Sequence, residues 1–94
     1  MNVVWTVTAL GHLGAIRQYI SQTSPFYAER MVQRILARAP QLAVFPDSGR
    51  MVPEVGQPSI REVLEGPYRV IYQLSAERLE VLAVVHARQS TVGF

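Results

Sequence analysis

The fold of this chain is decided by residues 60–86, IREVLEGPYRVIYQLSAERLEVLAVVH. Three runs rich in β-branched and aromatic residues occupy 60–64, 68–74 and 79–86. Turn-forming residues separate them, Gly-Pro at 66–67 and Ser-Ala-Glu-Arg at 75–78. Short apolar runs joined by tight turns are typical of antiparallel strands. The stretch therefore predicts a three-stranded antiparallel meander.

The first half of the chain predicts one strand and two helices. A short β-rich run, VVW at 3–5, is followed by Thr8, which stands where the N-cap of a helix would be. The apolar stripe of that helix is Ala9, Leu13, Ile16 and Ile20. Ser24 and Pro25 have the residue types of an N-cap and a first helical position. Pro40 predicts a kink or an early stop near the end of this second helix.

This order of elements points to one fold class. Strand, helix, helix and three strands make a single domain over residues 1–94. We predict an α/β (α+β) two-layer fold, with two helices on one face of a mostly antiparallel four-stranded sheet. A connection rich in proline and glycine, residues 46–58, joins the second helix to the meander. Its length suggests a functional role.

The alternation of side chains along a strand predicts which face each residue occupies. In the strand at 68–74, Tyr68, Val70 and Tyr72 form the apolar set that faces the helices, which leaves Arg69 and Ile71 on the other face. In the last strand the apolar set is Leu79, Val81, Ala83 and Val85.

The same alternation predicts an open face lined by arginine. It would carry Leu82, Val84 and His86 from the last strand, and Arg61 and Val63 from the first strand of the meander. Glu62 would then lie on the packed side, where an ion pair at the sheet edge is its simplest explanation. Arg61, Arg69 and His86 are thus expected on one face, beside apolar surface from Ile71, Leu82 and Val84.

The charges suggest a phosphate-bearing or acidic partner. The formal net charge is +2, and all nine cationic side chains are arginines. Arginine binds phosphate and carboxylate through a planar fork, so the set suits an RNA backbone or an acidic protein. A GC-rich genome that replaces lysine by arginine explains the same composition, so only the placement of the arginines carries weight.

Several classes of function are disfavoured by what the chain lacks. There is no cysteine, and His12 and His86 are too isolated to build a zinc site, so we expect no metal and no cofactor. His12 is expected to be solvated. The apolar runs are far shorter than a membrane span and no signal peptide opens the chain. We therefore expect a cytoplasmic protein without a membrane partner.

The segments resemble the RelE/ParE toxin pattern in order and spacing along nearly the whole chain. The matching pieces are Trp5-Thr6, Phe45-Pro46, Gly49-Arg50, Pro53-Glu54, Ile60-Arg61-Glu62, Tyr68-Arg69-Val70-Ile71-Tyr72, Val85-His86 and Arg88. Members of this superfamily are toxins that are co-expressed with a small antitoxin, which wraps around them and blocks them. Some cleave mRNA in the ribosomal A site without a metal, and others poison DNA gyrase.

The resemblance also implies roles for individual residues. Arg69 matches the phosphate-binding arginine of the nuclease members, and Glu54 and His86 match a base and an acid. These three would be the catalytic residues. The remaining matched cations, which would bind RNA, are Arg50, Arg61 and Arg88.

Simpler interpretations and other targets stay open. Glu54 could neutralise Arg50, and His86 could cap a buried strand. Two positions depart from the nuclease pattern. Val63 stands where some nuclease members have a strand lysine, and Phe94 stands where many have a terminal catalytic tyrosine, whose proton a phenyl ring cannot supply. We therefore rank three hypotheses: a ribosome-dependent mRNA endoribonuclease first, a gyrase poison second, and an inactive toxin that binds only its antitoxin third. In each case the expected antitoxin segment is acidic and amphipathic, and binds the open face.

Overall fold

The computed structural model describes residues 1–89, with two helices against a five-stranded sheet. The elements are β1 (Asn2–Trp5), α1 (Val7–Ser21), α2 (Pro25–Val44), a short 3-10 turn (Pro46–Ser48), β2 (Arg50–Met51), β3 (Ile60–Glu65), β4 (Tyr68–Leu74) and β5 (Arg78–His86). The strand order is β1-β5-β4-β3-β2, and only the β1–β5 pair is parallel among the described strands. The predicted fold class is confirmed. The fifth strand, β2, was not predicted because two residues are too short to show a pattern.

Side-chain caps set where the helices begin. Thr6, not Thr8, caps α1: its hydroxyl accepts a hydrogen bond from the Ala9 N–H at 3.1 Å and donates to the Val81 carbonyl at 2.9 Å. Ser24 caps α2 as predicted. Pro40 does not end this helix, because it removes only one main-chain donor and the turn after it still closes from Phe45 N–H to the Gln41 carbonyl.

The helices cover one face of the sheet. Tyr68, Val70 and Tyr72 of β4 face them and are buried, as their alternation predicted. The rest of this main core comprises Ala9, Leu13, Ile16, Met31, Ile35, Ala39, Leu42, Val63, Leu79, Val81 and Val84.

A bulge in β5 overturns part of the predicted alternation. Ile71 pairs with Ala83 but Tyr72 pairs with Val81, so Leu82 is an extra residue in β5. After Leu82, each residue of β5 therefore lies on the face opposite to the one that strict alternation predicted. Val84 lies opposite Val70, and the strand ends with His86 opposite Tyr68, so both lie on the helix side. The prediction that His86 shares a face with Arg69 is therefore wrong.

The register of β3 corrects a second prediction. Directly opposed residues of an antiparallel pair share a face, and Arg61 lies opposite Tyr72 while Glu62 lies opposite Ile71. Arg61 and Val63 are consequently on the helix side, and Glu62 is on the face of Arg69. The physical reason is that Val63 completes the core and Glu62 has an ion-pair partner on the far side.

The alternation predicted an open face on the side of the sheet away from the helices. In the structure this far face is covered. Val52 and Val55 of the connection between β2 and β3 pack onto Ile71 and Ala83, in a second apolar cluster. Ile71 is fully buried, and Val84 is 2% exposed on the opposite side, so neither contributes an open apolar strip. Neither helix is long and apolar enough over the described residues to span a membrane.

Gly49 gives the first testable prediction. A Cβ at this position would collide with the Tyr72 hydroxyl and lie 2.8 Å from the Glu62 carbonyl. Because this hydroxyl is fixed by hydrogen bonds from Gly49 N–H and to the Pro46 carbonyl, Gly49→Ala should lower the free energy of unfolding by about 2 kcal/mol in urea denaturation. Gly14→Ala, with nothing within 4 Å, is the control and should be neutral or stabilising. Equal urea midpoints for the two variants would contradict this prediction.

Candidate functional site

Arg69 lies at the centre of a buried network of ion pairs. It projects from β4 away from the helices, as predicted, yet only 6% of it is exposed. Its Nη1 and Nη2 groups donate to the two oxygens of Glu54 at 2.8 and 2.9 Å, and Nε donates to Glu62 Oε1 at 2.7 Å. Nη2 also contacts Glu62, and Nη1 donates to the Gln89 carbonyl at 3.0 Å. Four of the five N–H groups of the guanidinium therefore donate a hydrogen bond, and Nη2 also lies within ion-pair distance of Glu62.

Glu62 extends the network to Arg50. Its carboxylate is 1% exposed and accepts from Arg50 Nε at 2.7 Å as well as from Arg69. β2 makes this contact possible, because it places Arg50 directly opposite Glu62. The result is a chain of alternating charge, Arg50–Glu62–Arg69–Glu54, which we call the ion-pair chain. Its hydrogen bonds from Arg69 to Glu54 and Glu62 raise the pKa of Arg69, although burial opposes them.

The other predicted site residues lie elsewhere. Arg61, on the helix side, donates from Nη1 to the Gly49 carbonyl at 2.9 Å. His86 contacts Tyr68 edge to face, with ring centroids 5.9 Å apart, and its Nδ1 accepts from the Arg88 N–H at 3.2 Å. Arg88 is exposed just beyond β5. The structure thus brings Glu54 to Arg69 directly and Arg50 to it through Glu62, whereas Arg61 and His86 lie on the helix side of the sheet. Phe94 is outside the described residues.

Sequence reasoning missed the role of Glu62 and the surroundings of His12. Glu62 was expected on the packed side of the sheet. The two-residue turn at 66–67 could have corrected this, because it places Glu62 directly opposite Ile71, which was predicted on the other face. His12 is not simply solvated, since its Nδ1 accepts the Val84 N–H at 3.1 Å and ties α1 to β5.

His12 and His86 line one groove. It has a volume of about 460 Å³ and lies between α1 and the end of β5, with Tyr19 and Tyr68 also in its walls. The pKa of Tyr68 is raised by burial and by the nearby hydroxyls of Tyr19 and Tyr27, so this phenol is neutral at physiological pH. Within residues 1–89, no three histidine, cysteine or acidic side chains are placed to hold a metal ion.

Comparisons with known proteins agree on the family. The profile of the ParE toxin of the type II toxin–antitoxin system parDE matches residues 3–91. The toxin RelE2 of Caulobacter vibrioides is 38% identical over 87 residues, covering 92% of this chain and 94% of that protein.

Two solved structures share the fold. The chromosomal ParDE toxin–antitoxin system from P. aeruginosa superposes with a TM-score of 0.74 at 25% identity, over 92% of this chain and 95% of that one. A YoeB/ParE toxin from Agrobacterium tumefaciens superposes with a TM-score of 0.62 at 19% identity, over 92% and 98% of the two chains. With the profile match over nearly the whole chain, these relatives establish that the protein belongs to the ParE toxin family, in the RelE/ParE superfamily of type II toxin–antitoxin systems.

Proposed function

We propose that this toxin acts by binding and poisoning DNA gyrase rather than by cleaving mRNA. The observation that carries the proposal is that the guanidinium of Arg69 is already hydrogen-bonded within the protein. A phosphate-binding arginine needs N–H groups that it can direct at the phosphate oxygens. Here four of the five N–H groups already donate to an acceptor, and three of these acceptors are carboxylate oxygens.

The positions of the expected base and acid favour the same conclusion. Both oxygens of Glu54 accept hydrogen bonds from Arg69, so this carboxylate is occupied as an ion-pair partner. His86 lies on the helix side of the sheet, while Arg69 and Glu54 lie on the far side. A base and an acid that serve one phosphate must both reach it. Under the proposal, Glu54 and Arg69 are structural residues.

The nuclease, which the sequence ranked first, becomes the second candidate, and it is kept because two of the cations that it would use for RNA are accessible. The Arg50 side chain is 67% exposed, and Arg88 is exposed at the end of β5. Under that alternative they would bind the RNA backbone, with Glu54, Arg69 and His86 at the scissile phosphate. Under the gyrase proposal the same two arginines are surface cations available to gyrase or its DNA.

A cleavage-complex assay with purified gyrase tests the proposal. Supercoiled plasmid, gyrase and ATP are incubated with increasing toxin, and trapped complexes are then opened with detergent and protease. We expect linear DNA to accumulate in proportion to the toxin. Reactions without gyrase are the control for a contaminating nuclease. If linear DNA does not rise above the level with gyrase alone, the proposal is wrong.

A further inference from the structure

A basic pocket lies at the edge of the sheet where β2 stops covering β3. β2 pairs with β3 only at Arg61 and Glu62, and no described strand pairs with residues 63–65 on that side. The pocket beside them, which we call the edge pocket, has a volume of about 430 Å³. Its walls are Arg38 of α2, Ser48, Arg50, Glu62, Val63 and Leu64.

Arg38 is the cation of this pocket that lacks a close partner. Its ion pair within residues 1–89 joins Nε to Glu65 Oε1 at 3.9 Å, which is too long for a hydrogen bond. Arg34 binds Glu65 more closely, at 2.6 Å. The Nε group of Arg38 is nevertheless buried from water, and no described residue accepts its hydrogen bond. A buried donor without an acceptor destabilises the protein, and an anion beside Arg38 would offset this cost.

Two other side chains add donors to the pocket. Arg50 pairs with Glu62 but is 67% exposed, so the rest of its guanidinium is accessible to a ligand. Ser48 is exposed and contributes a hydroxyl. The one acidic residue in the walls, Glu62, is neutralised because its two oxygens accept from Arg50 and Arg69. The edge pocket therefore favours an anion.

The edge of β3 adds a main-chain donor. The Ile60 carbonyl accepts from the Val52 N–H, so it points to the outer side of β3. In an antiparallel strand the main-chain groups of every second residue point to the same side, and β3 pairs with β4 without a bulge. The N–H of Leu64 consequently points outward, past the end of β2 and beside the pocket. Arginine side chains, hydroxyls and main-chain N–H groups are the donors that proteins use for nucleic-acid phosphates.

We propose that the edge pocket binds a phosphate of the DNA on which gyrase acts. Arg38 and Arg50 contact the phosphate oxygens, and the Leu64 N–H donates to the same group. A polymer backbone suits this site better than a free small molecule, which proteins usually bury almost completely. Arg50 and Leu64 are instead 67% and 56% exposed, so the pocket is open along the sheet edge. The inference rests on the proposed function and adds to it a direct contact between toxin and DNA.

Binding of a labelled DNA duplex to the full-length toxin tests the proposal. A duplex of about two helical turns is titrated without gyrase, and fluorescence anisotropy gives the Kd at several salt concentrations. Arg38→Gln should raise the Kd at least about tenfold and reduce the slope of log Kd against log salt by about one, because one phosphate contact is lost. Arg30 is exposed on the same helix outside the pocket. Arg30→Gln should change the Kd by less than about threefold and leave the slope unchanged.

Ser48→Glu distinguishes lost binding from lost folding. A carboxylate at this position gives Arg38 a partner within the protein, so the Tm should not fall, whereas the Kd for the duplex should rise at least about tenfold. Gln18→Glu adds the same charge at an exposed position of α1 outside the pocket, and is the control. It should change the Kd by less than about threefold.

The amide resonance of Leu64 identifies the source of the phosphate. In the wild type we expect the duplex to shift it. A shift with inorganic phosphate but not with the duplex would mean that the ligand is a free phosphate compound, and would overturn the proposal. Wild-type toxin that does not bind the duplex, or equal Kd values for Arg38→Gln and Arg30→Gln, would overturn it too. Toxin that binds the duplex through Arg38 but traps no gyrase would contradict the proposed function alone.

Discussion

Arg69→Met should lower the free energy of unfolding by about 3 to 5 kcal/mol, because it leaves the buried carboxylate of Glu62 without its buried partner. Glu62 is 1% exposed, and Arg50, its other partner, is itself 67% exposed. Urea denaturation followed by circular dichroism measures the loss. Arg78→Met is the matched control, since Arg78 pairs with Glu80 at the surface and should contribute less than about 1 kcal/mol.

A double variant distinguishes a buried charge from lost packing. Glu62→Leu combined with Arg69→Met removes both buried charges, while Arg50 and Glu54 can both reach water. The double variant should therefore be more stable than the sum of the single losses predicts, by about 1 to 3 kcal/mol. Additive losses would mean that the two residues do not interact, and would contradict the ion-pair chain.

Tyr72→Ala is the second large effect that we expect, a loss of about 4 kcal/mol in the free energy of unfolding. Tyr72 is fully buried in the main core, and its hydroxyl accepts from Gly49 N–H and donates to the Pro46 carbonyl. These contacts hold the segment that leads into β2. Tyr72→Phe keeps the ring, so it should lose only about 1 to 2 kcal/mol. Equal losses for the two variants would show that the ring contributes nothing.

The phenol of Tyr72 should also make the stability of the protein depend on pH. Burial raises the pKa of Tyr72 above its ordinary value of 10.0, although the hydrogen bond from Gly49 opposes this. The unfolded chain therefore releases the proton at a lower pH than the folded one, and stability falls as the pH rises past 10. Tyr72→Phe should lose less stability between pH 9 and 11 than the wild type, when both are measured by urea denaturation.

Local patterns predicted the helices and the meander well. The helical stripe from Ala9 to Ile20 and the alternation in β4 each depend on neighbours within one element. For this reason the face of Arg69 was predicted correctly. The face of His86 was predicted wrongly. β5 is apolar on both sides of Leu82, and such a run does not show where a bulge shifts the alternation of its side chains.

The candidate site depended on contacts that no local pattern shows. The sequence indicated that Arg69 and Glu54 matter, but their direct pairing joins residues 15 positions apart. Glu62 reaches its second partner, Arg50, through a strand of only two residues. The bond from Val84 to His12 spans 72 positions. The resemblance supplied the family, and the register of the sheet determined which of the matched residues meet.

Mapping new 5′ ends in mRNA on translating ribosomes tests the central claim most directly. Purified ribosomes, a defined message and the toxin are incubated at the toxin concentration that saturates the gyrase assay, and primer extension locates any new ends. Because Arg69 is engaged by Glu54, Glu62 and Gln89, and His86 lies on the other side of the sheet, we expect the same ends with and without toxin. Toxin-dependent cleavage within the A-site codon, lost in Glu54→Gln, would contradict this account.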